Sequence, residues 1–238
     1  MHPRHRTYIC VMETREIDMA FERAEEALDR GEGLGGTGYW RAVGEVKTDP
    51  DLVDRYAERI AVIDQRAFDI WSPLLTVPLG LGTVLAVLVT VGGVALIGLA
   101  YYLDGFTAIF VFGAGVVVLL GSTHSLAHLI VGSVFGIGFT DWFVAKVSQP
   151  QPGIKIDYGS YLRVTPSRRA WMHASGAIVT KTIPFLMIPA AIAAGLPDWV
   201  WWVLLVAGLA MILTDFVWST RASDWKKFRR EMTLAQTS

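Results

Sequence analysis

The stretch GFTAIFVFGAGVVVLLGSTHSLAHLIVGSVFGIGFT, residues 105–140, contains no Asp, Glu, Lys or Arg in its 36 residues. A helix that crosses the hydrocarbon core of a bilayer needs about 20 apolar residues, so this stretch is long enough to span a membrane. Residues 73–103 form a second uncharged stretch of 31 residues. The sequence therefore predicts an integral membrane protein in contact with the lipid bilayer, and it excludes a soluble enzyme.

Two further apolar segments follow nearer the C-terminus, and they complete a predicted set of four transmembrane helices. We place these helices near residues 74–102, 107–132, 170–195 and 199–219. Tryptophans occur at both ends of the fourth segment, as is typical of side chains at a membrane–water interface. The predicted fold class is all-α: a four-helix polytopic membrane domain over residues 72–220, with a loop at 136–169 and a basic tail at 221–238.

Charge in the connecting segments predicts the orientation of these helices. Only Asp104 and Asp198 lie in the two short connections, whereas the 136–169 loop and the 221–238 tail contain ten Lys and Arg between them. Because basic loops are retained on the cytoplasmic side, we expect both termini and the long loop to be cytoplasmic.

Overall charge and cysteine content exclude other classes of protein. The formal net charge of −1 combines an acidic N-terminal third with a basic C-terminal part, so nothing predicts a nucleic-acid partner. Cys10 is the only cysteine, which excludes a disulfide framework and a CxxC metal or redox site.

Residues 1–71 are predicted to form a small cytoplasmic helical head. Apolar residues recur at helical spacing in 12–30 and again in 50–70, which predicts a helical hairpin. Residues 31–38, GEGLGGTG, match G-x-G-x-x-G, but a helix precedes them where a dinucleotide fold has a strand, so we interpret them as a turn. Residues 1–11 have no periodicity and are expected to be a disordered or misassigned leader, with translation starting at Met1 or Met12.

Five ionisable side chains fall within the predicted membrane segments, where such groups are costly and usually functional. They are His124, His128, His173, Lys181 and Asp215. His124 and His128 are four residues apart, which puts both imidazoles on one helix face, as in zinc-binding H-x-x-x-H pairs. At about 1.5 Å per residue, Asp215 lies at nearly the same depth as His124.

These residues allow two interpretations. His124, His128 and Asp215 would supply three ligands and leave a fourth position open, in a set that suits zinc and iron alike. Alternatively, Lys181 lies at the depth of Asp215, and the two side chains would form a buried ion pair with no metal.

The long loop contains one strand-like segment. Residues 154–158, IKIDY, alternate apolar and polar side chains, which favours a strand. This segment is either a connector lying on the membrane surface or an edge strand that pairs with an extended peptide.

The order of these motifs resembles the site-2 protease family of intramembrane zinc metalloproteases. In that family one helix carries H-E-x-x-H, the next carries G-P-x-x-N, and a later helix supplies an aspartate ligand. The resemblance covers roughly residues 107–220. It implies that His124, His128 and Asp215 bind zinc, with Gly176 and Thr180 at the glycine and asparagine positions.

The sequence departs from that family at the catalytic position, where Ser125 replaces the glutamate that accepts a proton from zinc-bound water. Candidates for a substitute catalytic group are His173, Lys181 and Ser125 itself. Three functions follow: an inactive or altered metalloprotease-like protein that binds a membrane-embedded peptide or protein client, an active intramembrane metallopeptidase with a relocated base, or a metal-free structural or partner-binding protein held by the Lys181–Asp215 pair.

Overall fold

The computed structural model describes residues 13–148, 151–217 and 223–237. The chain is mainly helical with one small antiparallel sheet, which confirms the predicted all-α class with a short strand element. It divides into two compact units, residues 1–72 and 73–238. The predicted leader at 1–11 and the first residues of the tail lie outside the described residues, as do residues 149 and 150 of the long loop.

The first unit contains three helices: α1 (Thr14–Asp29), α2 (Tyr39–Val46) and α3 (Pro50–Trp71). The apolar stripe of α1 is buried as predicted, and that of α3 is buried at Tyr56, Ile60 and Ile63 but not at its C-terminal end, where Ile70 is 38% exposed. Asp49 caps α3 by accepting a hydrogen bond from Asp51 N at 2.9 Å. The unit therefore has three helices where the sequence predicted a two-helix hairpin. The sequence did not reveal α2, because its 8 residues are too few to show a helical period.

Ion pairs join α1 to α3. Arg59 donates from Nε and Nη2 to the two carboxylate oxygens of Glu25, at 2.8 and 2.7 Å. The hydroxyl of Tyr56 donates to Asp18 at 2.9 Å. The hydrogen bond from Arg59 lowers the pKa of Glu25, although partial burial opposes the shift. The carboxylate of Glu25 therefore stays ionised and paired at neutral pH.

Four helices of the second unit are long and apolar enough to cross a membrane, so the protein is an integral membrane protein. They are α4 (Leu79–Leu99), α5 (Gly105–Val134), α7 (Pro166–Ala193) and α8 (Asp198–Val217). A short 3-10 turn, Ala100–Tyr102, extends α4. The cytoplasmic location of the termini remains a prediction.

The second unit also contains a three-stranded antiparallel sheet, whose first strand precedes α4 and whose other two strands follow α5. It contains β1 (Leu75–Pro78), β2 (Phe139–Val144) and β3 (Gly153–Ile156), in the order β1-β2-β3. The strand expected at 154–158 is therefore present at 153–156 and lies at a sheet edge. We did not predict β1 and β2, because both lie at the ends of apolar stretches that are otherwise helical.

Two shorter helices complete the fold: α6 (Tyr158–Arg163) and α9 (Asp224–Thr237). Asp157 ends β3 and caps α6, accepting hydrogen bonds from Gly159 N and Ser160 N. The segment interpreted as a basic tail is thus largely helical, and α9 packs against α7.

Close approach of α4 and α5 depends on facing glycines. A Cβ atom added at Gly115 would lie 2.9 Å from the carbonyl oxygen of Gly93 and 2.9 Å from Ile97 Cδ1. Small residues at such contacts let membrane helices pack backbone to backbone. Gly113 is on the same helix, and a Cβ there would have no described neighbour within 4 Å.

We expect Gly115→Val to destabilise the membrane unit by about 1–3 kcal/mol, because the added methyl groups separate α4 from α5. Gly113→Val is the matched control, with the same change in helix propensity and no steric conflict. Thermal unfolding of both variants in detergent measures the difference. Equal melting temperatures for the two variants would contradict this packing.

Candidate metal centre

His124 and His128 lie one turn apart on α5, as predicted, and their Nε2 atoms are 3.3 Å apart. Each imidazole is oriented through its other nitrogen. Nδ1 of His128 is 2.7 Å from the carbonyl oxygen of Met172, and an N–H must donate to a carbonyl. The proton of His128 therefore lies on Nδ1, which leaves a lone pair on Nε2.

The same assignment holds for His124. Its Nδ1 is 3.0 Å from Thr180 Oγ1, and that hydroxyl donates its proton to the carbonyl of Gly176 at 2.8 Å. Thr180 can then only accept from His124, so Nδ1 of His124 is the protonated nitrogen. When both imidazoles are neutral, both Nε2 atoms thus present lone pairs to the same point. Hydrogen bonds of this kind orient metal-binding histidines.

The third group at this point is Asp224, at the start of α9. Its Oδ2 atom is 3.2 Å from Nε2 of His124 and 3.3 Å from Nε2 of His128. Ligand atoms of the three residues all lie within 4.8 Å of one another. Three acceptors that converge in a largely buried site repel one another unless a proton or a metal cation lies between them, and two imidazoles with one carboxylate are a donor set that fits a divalent metal.

The third ligand predicted from the sequence, Asp215, is not part of this group, and that assignment is corrected here. Asp215 forms an ion pair with Lys181, whose ammonium also donates to the carbonyl of Ala177 at 3.3 Å. The predicted alternative pairing is thus present in the structure alongside the metal group. Equal depth on two helices does not determine which of their faces meet. Asp215 therefore pairs with the opposite charge that faces it, which is Lys181.

Lys227 lies one turn after Asp224 on α9 and contacts the opposite oxygen of its carboxylate. The distance from Nζ to Oδ1 is 3.2 Å. Burial favours the neutral form of Asp224, but hydrogen bonds from His124 and His128, when their Nε2 atoms carry a proton, and the charge of Lys227 outweigh it, and the pKa of this carboxyl is lowered. Asp224 is therefore ionised, with Oδ2 directed to the histidines.

A buried network holds α9 against α7. Arg169 donates from Nε to Glu231 at 2.7 Å, and these side chains are 2% and 0% exposed. Tyr161 donates to the other oxygen of Glu231 at 3.0 Å and is 2.9 Å from Nε2 of His173. Burial and the charge of Glu231 raise the pKa of Tyr161, so the phenol stays protonated.

This network also determines what His173 can do. Since the proton of Tyr161 goes to Glu231, the phenol oxygen accepts from His173, and Nε2 of His173 carries a proton. Its Nδ1 atom is the only ring nitrogen left to accept a proton. His173 nevertheless lines the same cavity as the metal group.

That cavity has a volume of about 540 Å³ and is lined by residues of α5, α7, α9 and the sheet. Gly153, Ile154 and Ile156 of β3 form one wall. Ser125, at the position of the family's glutamate, is 2% exposed and donates to the carbonyl of Pro152 at 2.5 Å. The serine hydroxyl therefore fixes the loop before β3 instead of facing a metal-bound water.

Gly176 is required where α7 passes the histidines. A Cβ atom there would lie 2.4 Å from His128 Nε2 and 3.0 Å from His124 Cε1. A side chain at this position would therefore collide with the imidazole ring of His128 and crowd that of His124. The sequence had identified Gly176 and Thr180 through the family resemblance, and both contact the histidines directly in the structure.

Sequence reasoning missed Asp224, Lys227 and Glu231, because all three lie in a segment with excess positive charge. One signal was present: Asp224 and Glu231 are seven residues apart, so two carboxylates share one helix face within a basic segment. No family model, no curated protein and no solved structure matches this chain.

Glu231→Gln is expected to loosen α9, because it leaves the Arg169 guanidinium buried without a counter-charge; losses of this kind cost about 3–5 kcal/mol. The readout is proteolysis of α9 in the full-length protein in detergent, followed by mass spectrometry. Arg230→Gln changes an exposed charge on the same helix and serves as the control. Equal protection of α9 in both variants would contradict the role assigned to this pair.

Proposed function

We propose that this integral membrane protein binds zinc through His124, His128 and Asp224 and is a divergent, site-2-protease-like protein. On this proposal it holds a membrane-embedded peptide or protein client beside the metal without hydrolysing it. The observation that carries the proposal is the convergence of Nε2, Nε2 and Oδ2, with both imidazole protons committed to other acceptors.

The donor set supports zinc with one position left open. Two imidazole nitrogens and one carboxylate oxygen would supply three of the four ligands of a zinc site, and a fourth ligand could come from the cavity that these residues line. Lys227 favours binding through one oxygen of Asp224, because its ammonium contacts the other. Ferrous iron uses similar ligands, so elemental analysis distinguishes the two metals.

The absence of a suitable base supports a client-binding role. Asp224 is the only carboxylate among the described residues that line the cavity, and it is assigned as a ligand. Ser125 donates to Pro152, and Nε2 of His173 donates to Tyr161. Activation of a zinc-bound water needs a group that accepts its proton; the Ser125 hydroxyl and Nε2 of His173 are engaged in these hydrogen bonds, which leaves Nδ1 of His173 as the remaining acceptor of these two residues.

The edge strand supports an extended client. Among the described strands, β3 pairs only with β2, so its other edge is open to a further strand. Pairing with an extended peptide would supply main-chain hydrogen bonds. Because β3 also lines the metal cavity, a peptide bound along this edge would run close to the fourth metal position.

A metallopeptidase that uses His173 as its base is the second candidate. The observation that favours it is that His173 lines the metal cavity and retains Nδ1 as an acceptor. The metal-free alternative relies on the Lys181–Asp215 pair, which is present but involves none of the residues of the metal group.

Metal content tests the site directly. We expect the protein purified in detergent to contain stoichiometric zinc by elemental mass spectrometry, and Asp224→Asn or the pair His124→Ala, His128→Ala to lose it. The control is the double variant Lys181→Met, Asp215→Leu, which removes the intramembrane ion pair without leaving a buried charge. Wild type that takes up no zinc, or a control that loses it as fully as Asp224→Asn, would contradict the assignment.

Ser125→Glu tests the missing base. Positioned general bases contribute about 10²–10⁴-fold to rates, so this variant is expected to show chelator-sensitive cleavage of single-span model substrates that wild type leaves intact. Ser125→Gln disrupts the same hydrogen bond without supplying a base and should be inactive. If wild type cleaves these substrates and Asp224→Asn abolishes that activity, the protein is a metallopeptidase and the client-binding proposal is wrong.

A further inference from the structure

A second cavity, of about 340 Å³, lies between α4, α5 and the sheet. Its walls are almost entirely apolar. Among the described residues that line it, the polar side-chain groups are the Ser122 hydroxyl, 2.9 Å from Thr90 Oγ1, and the Trp142 indole, which donates to Thr83 at 3.1 Å. Both groups are engaged, so the groove offers no unpaired polar partner to an occupant.

The groove is continuous with the membrane-facing surface of the helices. Leu85, Val89 and Val117 line it and are 47%, 50% and 67% exposed. These residues belong to the two most apolar spans of the chain, whose exposed faces contact lipid in an integral membrane protein. The groove therefore opens to the hydrocarbon of the bilayer.

Size and chemistry decide which occupant fits. One turn of an α-helix, about 10 Å wide and 5.4 Å long, fills roughly 420 Å³ and exceeds the whole groove. An extended peptide inside the groove would have unsatisfied backbone groups, which the hydrocarbon region does not tolerate. A peptide paired with the outer edge of β1 would lie in the plane of the sheet, beside the groove and not within it.

A lipid tail satisfies both limits. A methylene group is about as large as a water molecule, whose share of volume is about 30 Å³, so the groove has room for roughly eleven methylenes. The wall on α4 runs from Gly82 to Val89, about 10 Å of helix, and β1 lengthens it. One leaflet of the hydrocarbon core is about 15 Å thick, a similar length.

We propose that this groove is a binding site for one acyl chain of a membrane lipid. Phe143 and Pro152 line both the groove and the metal cavity, so the two cavities adjoin. The proposal does not depend on bound metal.

Gly121 gives a direct test, because it lines the groove and a Cβ there would have no described neighbour within 4 Å. Gly121→Phe should therefore fill the groove without displacing the backbone. Gly113→Phe is the matched control on the same helix, at a position with equally open surroundings that does not line the groove. Gly121→Leu is a smaller second variant if the phenylalanine disturbs folding.

The full-length protein is reconstituted in phosphatidylcholine vesicles containing a phosphatidylcholine with a photoreactive diazirine in its acyl chain, and crosslinked residues are mapped by mass spectrometry. We expect crosslinks to concentrate on residues 82–89 and 117–122. Because the phenylalanine ring of Gly121→Phe takes the space that the tail would fill, this variant should lose most of those crosslinks. Gly113→Phe should not reduce them.

Uniform labelling of all the spans in wild type would overturn the proposal, as would an equal loss in Gly113→Phe. Loss of the crosslinks when an extended apolar peptide is added would assign the groove to a peptide and also overturn the proposal. His124→Ala with His128→Ala should retain the crosslinks. Failure of the zinc assignment therefore leaves this result unchanged, and the two proposals fail separately.

Discussion

The meeting of three hydrogen-bond acceptors, Nε2 of His124, Nε2 of His128 and Oδ2 of Asp224, is the constraint on which the rest of the site depends. Each imidazole is turned toward this point by a hydrogen bond at its far side, and the absence of a side chain at Gly176 leaves room for both rings. In a buried setting such an arrangement is unfavourable unless a proton or a metal cation lies between the three atoms. Under the proposed function, the surrounding helices form the frame that holds this metal-binding geometry.

Much of that frame is the docking of α9. Its first residue, Asp224, supplies the carboxylate, and Glu231 two turns later pairs with Arg169 in the protein interior. Buried ion pairs contribute little net stability, but they penalise alternative arrangements strongly, since either charge left alone is costly. The Arg169–Glu231 pair thus fixes the register of α9 on α7, and with it the position of Asp224 relative to the histidines.

The sequence predicted those features that depend on hydrophobic length and helical period: four spans, the stripes of α1 and α3, and a histidine pair on one helix face. It did not predict which carboxylate completes the group. The depth of a residue in the membrane follows from counting residues along its helix, but which faces of two helices meet depends on packing. Asp215 matched in depth but meets Lys181. Strands β1 and β2 were missed because their residues continue apolar runs, and α2 because it is only two turns long.

The most direct test of this account is X-ray absorption at the zinc K edge of the purified protein, in wild type and in Asp224→Asn. The account predicts a four-coordinate site with two imidazoles and light-atom ligands at about 2.0–2.2 Å, and loss of that signal in Asp224→Asn. The double variant Lys181→Met, Asp215→Leu should give the wild-type spectrum. A spectrum without histidine ligands, or one that is unchanged by Asp224→Asn and altered in the double variant, would contradict the assignment of the metal centre.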